Sequence, residues 1–105
     1  MTQVAIEDGY KDFVLDQLAN LDGVTCRAMF GSYGLSLHGT FFGIIHHGRL
    51  YFKTSPATVS LYRSQHMKPF TPNAGQTLKN YYEVPVDIVE SPGTLVEWAI
   101  VASRR

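Results

Sequence analysis

At 105 residues the chain is long enough for one domain with a modest core and too short for two. Hydrophobic residues make up 45% and charged ones 17%, which excludes a disordered polyelectrolyte, and no apolar run reaches the roughly 18 residues that span a bilayer. Nine basic and nine acidic residues cancel, so a nucleic-acid partner would have to be met by an uneven distribution of charge, not by the total.

The opening "MTQVAIEDGYKDF" carries early acids and no basic stretch followed by an apolar one, so no signal peptide is expected. The single Cys26 cannot close an internal disulfide, and cytoplasmic residence is the expectation. A first helix is predicted from about Ala5 to Leu21. Ile6, Tyr10, Phe13, Val14, Leu18 and Leu21 recur at helical spacing, and Glu7 and Asp8 suit the positive end of the dipole. "NLDG" ends it, with Gly23 free to take the left-handed conformation.

From Val24 the periodicity becomes that of strands. "VTCRAMF", "YGLSLH", "FFGIIH" and "RLYFK" follow one another, the last three separated by "GT" and "HG". Two-residue connections with glycine predict antiparallel hairpins. Those turns pair His38 with Phe41 and His46 with Arg49. One face then carries Tyr33, Leu35, Leu37, Phe42, Ile44, Tyr51 and Lys53, the other Gly34, Ser36, Phe41, Gly43, Ile45, Leu50 and Phe52. Neither is polar throughout, as a solvated face should be, so helices are expected on one face and a second copy of the chain over part of the other.

"TSPATVSLYRSQH" predicts a second helix with Ser55 as N-cap and Pro56 first inside it. "MKPFTPNAGQTLKN", with two prolines and a glycine, reads as an irregular loop, and "YYEVP" as a final short strand ended by Pro85. "DIVE" suggests one helical turn. A last helix starts at "SPGT" with a stripe of Leu95, Trp98, Ala99 and Ala102, its negative end complemented by Arg104 and Arg105. The order helix, four strands, helix, strand, helix predicts a two-layer α+β fold, an antiparallel sheet of about five strands flanked by helices, with residues 1–105 forming a single domain.

Reactive groups do not converge in the sequence. His46 and His47 are adjacent on a strand and point to opposite faces, and no zinc-type spacing accompanies them, so no metal is expected. Cys26 shares a side with Val24, Ala28 and Phe30, which reads as a small core residue and not a nucleophile; a catalytic role would need a histidine and a carboxylate brought to it. No nucleophile elbow, phosphate loop or dinucleotide fingerprint occurs, so neither catalytic residues nor a cofactor are expected.

The distribution of charge is less neutral than its sum. Between Gly23 and Tyr82 there is no Asp or Glu, while Arg27, Arg49, Lys53, Arg63, Lys68 and Lys79 lie there with all four histidines. Those six are the residues that an anion or nucleic acid would meet. Tyr33, Tyr51 and Lys53 on one face loosely suggest a base-stacking platform, but no RNP-like motif is present. Acidic terminal helices lying against a basic sheet and neutralising it internally are the preferred explanation of the asymmetry, given the neutral total.

Taken in order, "RAMFGSYGLSL", "GRLYFKTS", "PFT", "YYEVP" and a Leu–Trp helix closely resemble the N-terminal domain of the TfoX family, whose namesake regulates DNA-transformation competence in bacteria. The resemblance runs from about Tyr10 to Ala102. Its motif residues here are Arg27, Met29, Phe30, Gly31, Tyr33 and Gly34. Ser32 stands where the family often has a second glycine, and "HHG" replaces a more usual acidic turn. The resemblance implies a helix-flanked antiparallel sheet and a tendency to associate; together with the lack of catalytic groups it points to a non-enzymatic role through protein contacts in transcription or competence control, and the two apolar sheet faces point to a homodimer. Competence regulators continue into a helical C-terminal domain, so a stand-alone short form is the expectation for a chain ending at Arg105.

Overall fold

The computed structural model describes residues 2–29, 31–73 and 76–104, and the side chains of 9–28, 31–71 and 77–104. In chain order the elements are α1 (Thr2–Gln17), β1 (Val24–Met29), β2 (Ser32–Leu37), β3 (Thr40–His46), β4 (Arg49–Lys53), α2 (Val59–Ser64), β5 (Pro69–Asn73), β6 (Gln76–Glu83), α3 (Val86–Val89) and α4 (Pro92–Ala102). The strands form one open sheet in the order β1-β2-β3-β4-β6-β5, every neighbouring pair antiparallel. The α+β expectation holds, with one strand more than expected. No helix among the described residues is long and apolar enough to cross a membrane.

The extra strand is the largest departure. Of residues 67–80, expected as loop, 69–73 make β5 and 76–80 most of β6, so "YYEVP" begins in the last part of a long strand. Proline fits there because β5 is an edge strand, where a missing N–H costs no ladder bond. The register between β5 and β6 shifts twice, between Pro69 and Phe70 and between Phe70 and Asn73, where the two prolines lie.

The β2–β3 turn is His38–Gly39, not Gly39–Thr40, and it matches His47–Gly48 between β3 and β4. Backbone φ is 49° and 84° in the first turn and 50° and 71° in the second. Positive φ at both central residues is the hairpin geometry whose twist matches that of the strands. Leu37 therefore faces Thr40 and Ser36 faces Phe41, while His46 pairs with Arg49 as the spacing implied.

A bulge then follows: Leu35 faces Gly43, which leaves Phe42 extra. Phe41 and Phe42 keep opposite faces as expected, but β3 beyond Phe42 is reversed relative to the expected sets. Ile44 and Tyr51 therefore lie on the face opposite Leu35, Leu37 and Phe42, while Ile45, Leu50 and Phe52 share the helix-covered face with those three. Gly43 suits the crowded site, because a Cβ there would lie 3.2 Å from Phe52 Cδ1 and from the Tyr51 carbonyl oxygen.

The main core lies between this face and the helices. Val14 of α1, Leu18 in the turn just after it, and Leu95, Ala99 and Ala102 of α4 pack onto Leu35, Phe42, Ile45, Leu50 and Phe52. The rings of Phe42 and Phe52 meet edge to face at 5.4 Å. α1 starts earlier than expected, so Glu7 and Asp8 fall beyond its first turn, and Phe13 is 40% exposed. Gln17 Nε2 donates to the Val89 carbonyl at 2.9 Å and ties α1 to α3. α2 is shorter than expected: Ser55 to Thr58 form a turn, Thr58 is the N-cap, and Pro56 lies ahead of the helix. α4 begins with Pro92 after Ser91, as expected; Arg105, expected to face its negative end, lies outside the described residues.

On the second face Ile44, Tyr51 and Phe70 are buried together, with Phe41, Leu78 and Tyr81 against them. Phe70 of the edge strand reaches Tyr51 at 4.7 Å and His46 at 5.2 Å. Phe70 of β5 and Leu78 and Tyr81 of β6 thus supply part of the cover for which a second copy was expected.

Candidate functional site

Among the described residues, concavities open on the helical side, of which two bear on function. The first, about 240 Å³, lies between α2 and α4 and is lined by Leu61, Tyr62, Trp98, Val101 and Ala102, with Thr58, Lys53 and Glu97 adding polar groups. Its floor is an aromatic chain: Tyr62 meets Trp98 at 5.0 Å and Tyr82 at 6.1 Å. Burial pushes the Tyr62 phenol well above its ordinary pKa. The walls are unusually apolar for a surface, since Leu61 is 50% and Val101 38% exposed. Helical spacing puts both on the outer flanks of their helices.

The second, about 330 Å³, is bounded by α1, the start of β4, the end of β6, and α3. Arg49 Nη1 donates to both carboxylate oxygens of Glu83 at 3.0 and 3.1 Å. Tyr10 lines the same cavity, its phenol pushed up to about 12 by burial first and by the Glu83 charge second, with Arg49 opposing. Phe13 and Val86 stand exposed in its walls.

The six basic residues are dispersed over the fold. Arg27 is exposed on β1, at one edge of the sheet, and Lys79 on β6, beside the other edge, with exposed Lys68 just ahead of β5. Arg63 is on α2, where its Nε donates to the Tyr82 hydroxyl at 3.4 Å. Lys53 lines the α2–α4 groove, and Arg49 is engaged by Glu83. The sheet does not gather Tyr33, Tyr51 and Lys53 into a platform either, because Tyr33 packs with the helix-side core and Tyr51 with the opposite cluster.

Cys26 is half-buried on the helix side of β1 against the main core. Burial raises its thiol pKa; Lys11 lowers it and Asp12 raises it. Among the described residues no three His, Cys, Asp or Glu side chains are grouped to hold a metal. The adjacent His46 and His47 rings touch edge to face at 4.0 Å. One pairing escaped the sequence reading: Ser32 Oγ and His46 Nδ1 share a hydrogen bond across β2 and β3. Spacing alone could not reveal it, because it depends on the bulged register. Ser32 is buried, so this pair joins two strands and offers no exposed hydroxyl.

The motif residues mark the β1–β2 corner. Arg27 pairs with Gly34, Ala28 with Tyr33 and Met29 with Ser32. Gly31 has φ 80°, the left-handed region where glycine is least strained. Phe30 lies outside the described residues. These residues build a hairpin and converge on no ligand-sized space.

A search of curated proteins found no match. The family model of the TfoX N-terminal domain matches residues 16–104, from the C-terminal end of α1 to just past α4. With nearly the whole sheet and its helical cover inside that match, the chain belongs to the TfoX N-terminal domain family.

Proposed function

We propose that the domain works without catalysis, as an interaction module in transcription or DNA-competence control, and that the α2–α4 groove receives an apolar segment of its protein partner. The observation that carries this reading is the exposed pair Leu61 and Val101 flanking the Tyr62–Trp98 floor. Apolar side chains around a concave aromatic floor, with Lys53 and Glu97 also lining it, have the make-up of an interaction hot spot. Family membership supports the regulatory setting.

The test is a Leu61→Asp, Val101→Asp double variant used as bait beside the unaltered domain in affinity capture from the native host. Both positions are exposed, so folding should change by about 0.5 kcal/mol or less per site. A partner held by the unaltered domain and lost by the variant supports the reading. The same partners on both baits would overturn the groove assignment.

Anion or nucleic-acid binding through the basic residues of 23–82 is the alternative, and exposed Arg27, Arg63, Lys68 and Lys79 keep it in view. Their spread over two edges and a helix favours the protein reading. A DNA or RNA mobility shift that weakens steeply with added salt would reverse that order.

A further inference from the structure

The two edges of the sheet are built differently. β5 carries Pro69 and Pro72 and pairs irregularly with β6, the usual devices that stop an edge from recruiting another strand. β1 has neither. It runs six residues, "VTCRAM", in unbroken register with β2 and contains no proline.

The register also tells which of its backbone groups are free. The His38 N–H donates to the Gly23 carbonyl at 3.0 Å, so the pair Gly23–His38 is a hydrogen-bonded one. Antiparallel pairs alternate, so Thr25, Arg27 and Met29 bond to β2, while Val24, Cys26 and Ala28 turn their N–H and C=O groups outward. Among the described residues no backbone group of another segment bonds to these three. Ala28 is exposed, as are Thr25 and Arg27.

We infer that β1 is a self-association edge, pairing antiparallel with β1 of a second copy about a two-fold axis at Cys26. This register uses every outward group: Val24 bonds with the partner's Ala28, Cys26 with the partner's Cys26, and Ala28 with the partner's Val24. On the helix side only small or aliphatic side chains meet. On the other side Arg27 lies opposite the partner's Thr25 and not the partner's Arg27, so the one charge of the strand avoids its own copy. The proline-blunted β5 cannot continue the series, so the assembly closes as a dimer with a twelve-stranded sheet instead of growing into a fibre.

Sedimentation or light scattering over a concentration series, up to about 200 μM because one strand pair buries less than a standard interface, reads this directly. The mass should rise from 11.7 kDa toward twice that value. Ala28→Pro deletes an outward N–H and no β1–β2 bond, so the fold should persist while dimerisation weakens at least about tenfold. If that variant fails to fold, amide exchange on the unaltered chain decides. Val24, Cys26 and Ala28 should gain protection with concentration, and Thr25 and Arg27 should not. A monomer throughout the series would overturn the inference. So would a dimer unchanged in folded Ala28→Pro, or exchange at the three amides independent of concentration.

Discussion

Gly23 sits directly against the imidazole of His38: a Cβ added to Gly23 would overlap three atoms of that ring. The same two residues share the hydrogen bond that closes β1 onto β2, and Gly23 has φ 92°. Chain direction, ladder and side-chain position are therefore fixed together at one point.

Gly23→Ala should accordingly destabilise the domain by about 1–2 kcal/mol, from left-handed strain plus displacement of the ring. His38 is exposed and can swing away, which keeps the steric part modest. Thermal melting of Gly23→Ala, His38→Ala and the double variant separates the two parts. The double variant should melt above the sum of the single losses, because removing the ring removes the overlap.

The bulge offers a second test. Gly43→Ala places a methyl 3.2 Å from Phe52 Cδ1 and 3.4 Å from Leu35 Cδ1, in a core where Phe52 and Leu35 are fully buried. A loss of about 1–3 kcal/mol is expected in denaturant unfolding. Phe42→Ala, which empties the edge-to-face contact with Phe52, should cost more, about 3–5 kcal/mol.

High pH should unfold the protein through its tyrosines. Burial, the leading cause in each case, raises the pKa of Tyr10, Tyr51, Tyr62 and Tyr81 in the fold, that of Tyr10 to about 12. The unfolded chain then sheds these protons first. Stability is fully present below about pH 10 and falls as pH rises through the folded values. Circular dichroism and tyrosinate absorbance followed together should show unfolding coincident with ionisation. Tyr10→Phe should shallow the decline over about pH 10 to 12.

Arg49 and Glu83 act on Tyr10 with opposite signs, so their removal should move its titration in opposite directions. Glu83→Gln should lower the Tyr10 pKa and Arg49→Gln raise it, as read by ultraviolet titration. Arg49 is 60% exposed in its side chain, so the pair itself contributes about 0.5 kcal/mol and less in high salt.

Local signals in the sequence carried the meander well. Alternating residues from Val24 to Lys53, the His47–Gly48 turn and the Ser–Pro start of α4 act over a few neighbours, and they reappear in the fold. What was not legible depends on distant partners. β5 and the early part of β6 look like loop because proline is acceptable only at an edge, and being an edge is a property of the whole sheet. The bulge at Phe42 has no local signature beyond Gly43, and the turn one residue earlier than expected gave a different register. For the site, the family motif was plain, yet the groove walls Leu61 and Val101 and the Arg49–Glu83 pair come from segments far apart in the chain.

The four-strand meander also has a kinetic consequence. Its three connections span two residues each, so it can zip up with little loss of chain entropy, whereas joining β4 to β6 must close a loop of roughly 30 residues. Assembly should begin in the meander and finish when β6 docks and Phe70 swings onto Tyr51. The late-forming half is the half that carries α2, so the groove wall at Leu61 is among the last surfaces of the molecule to take shape.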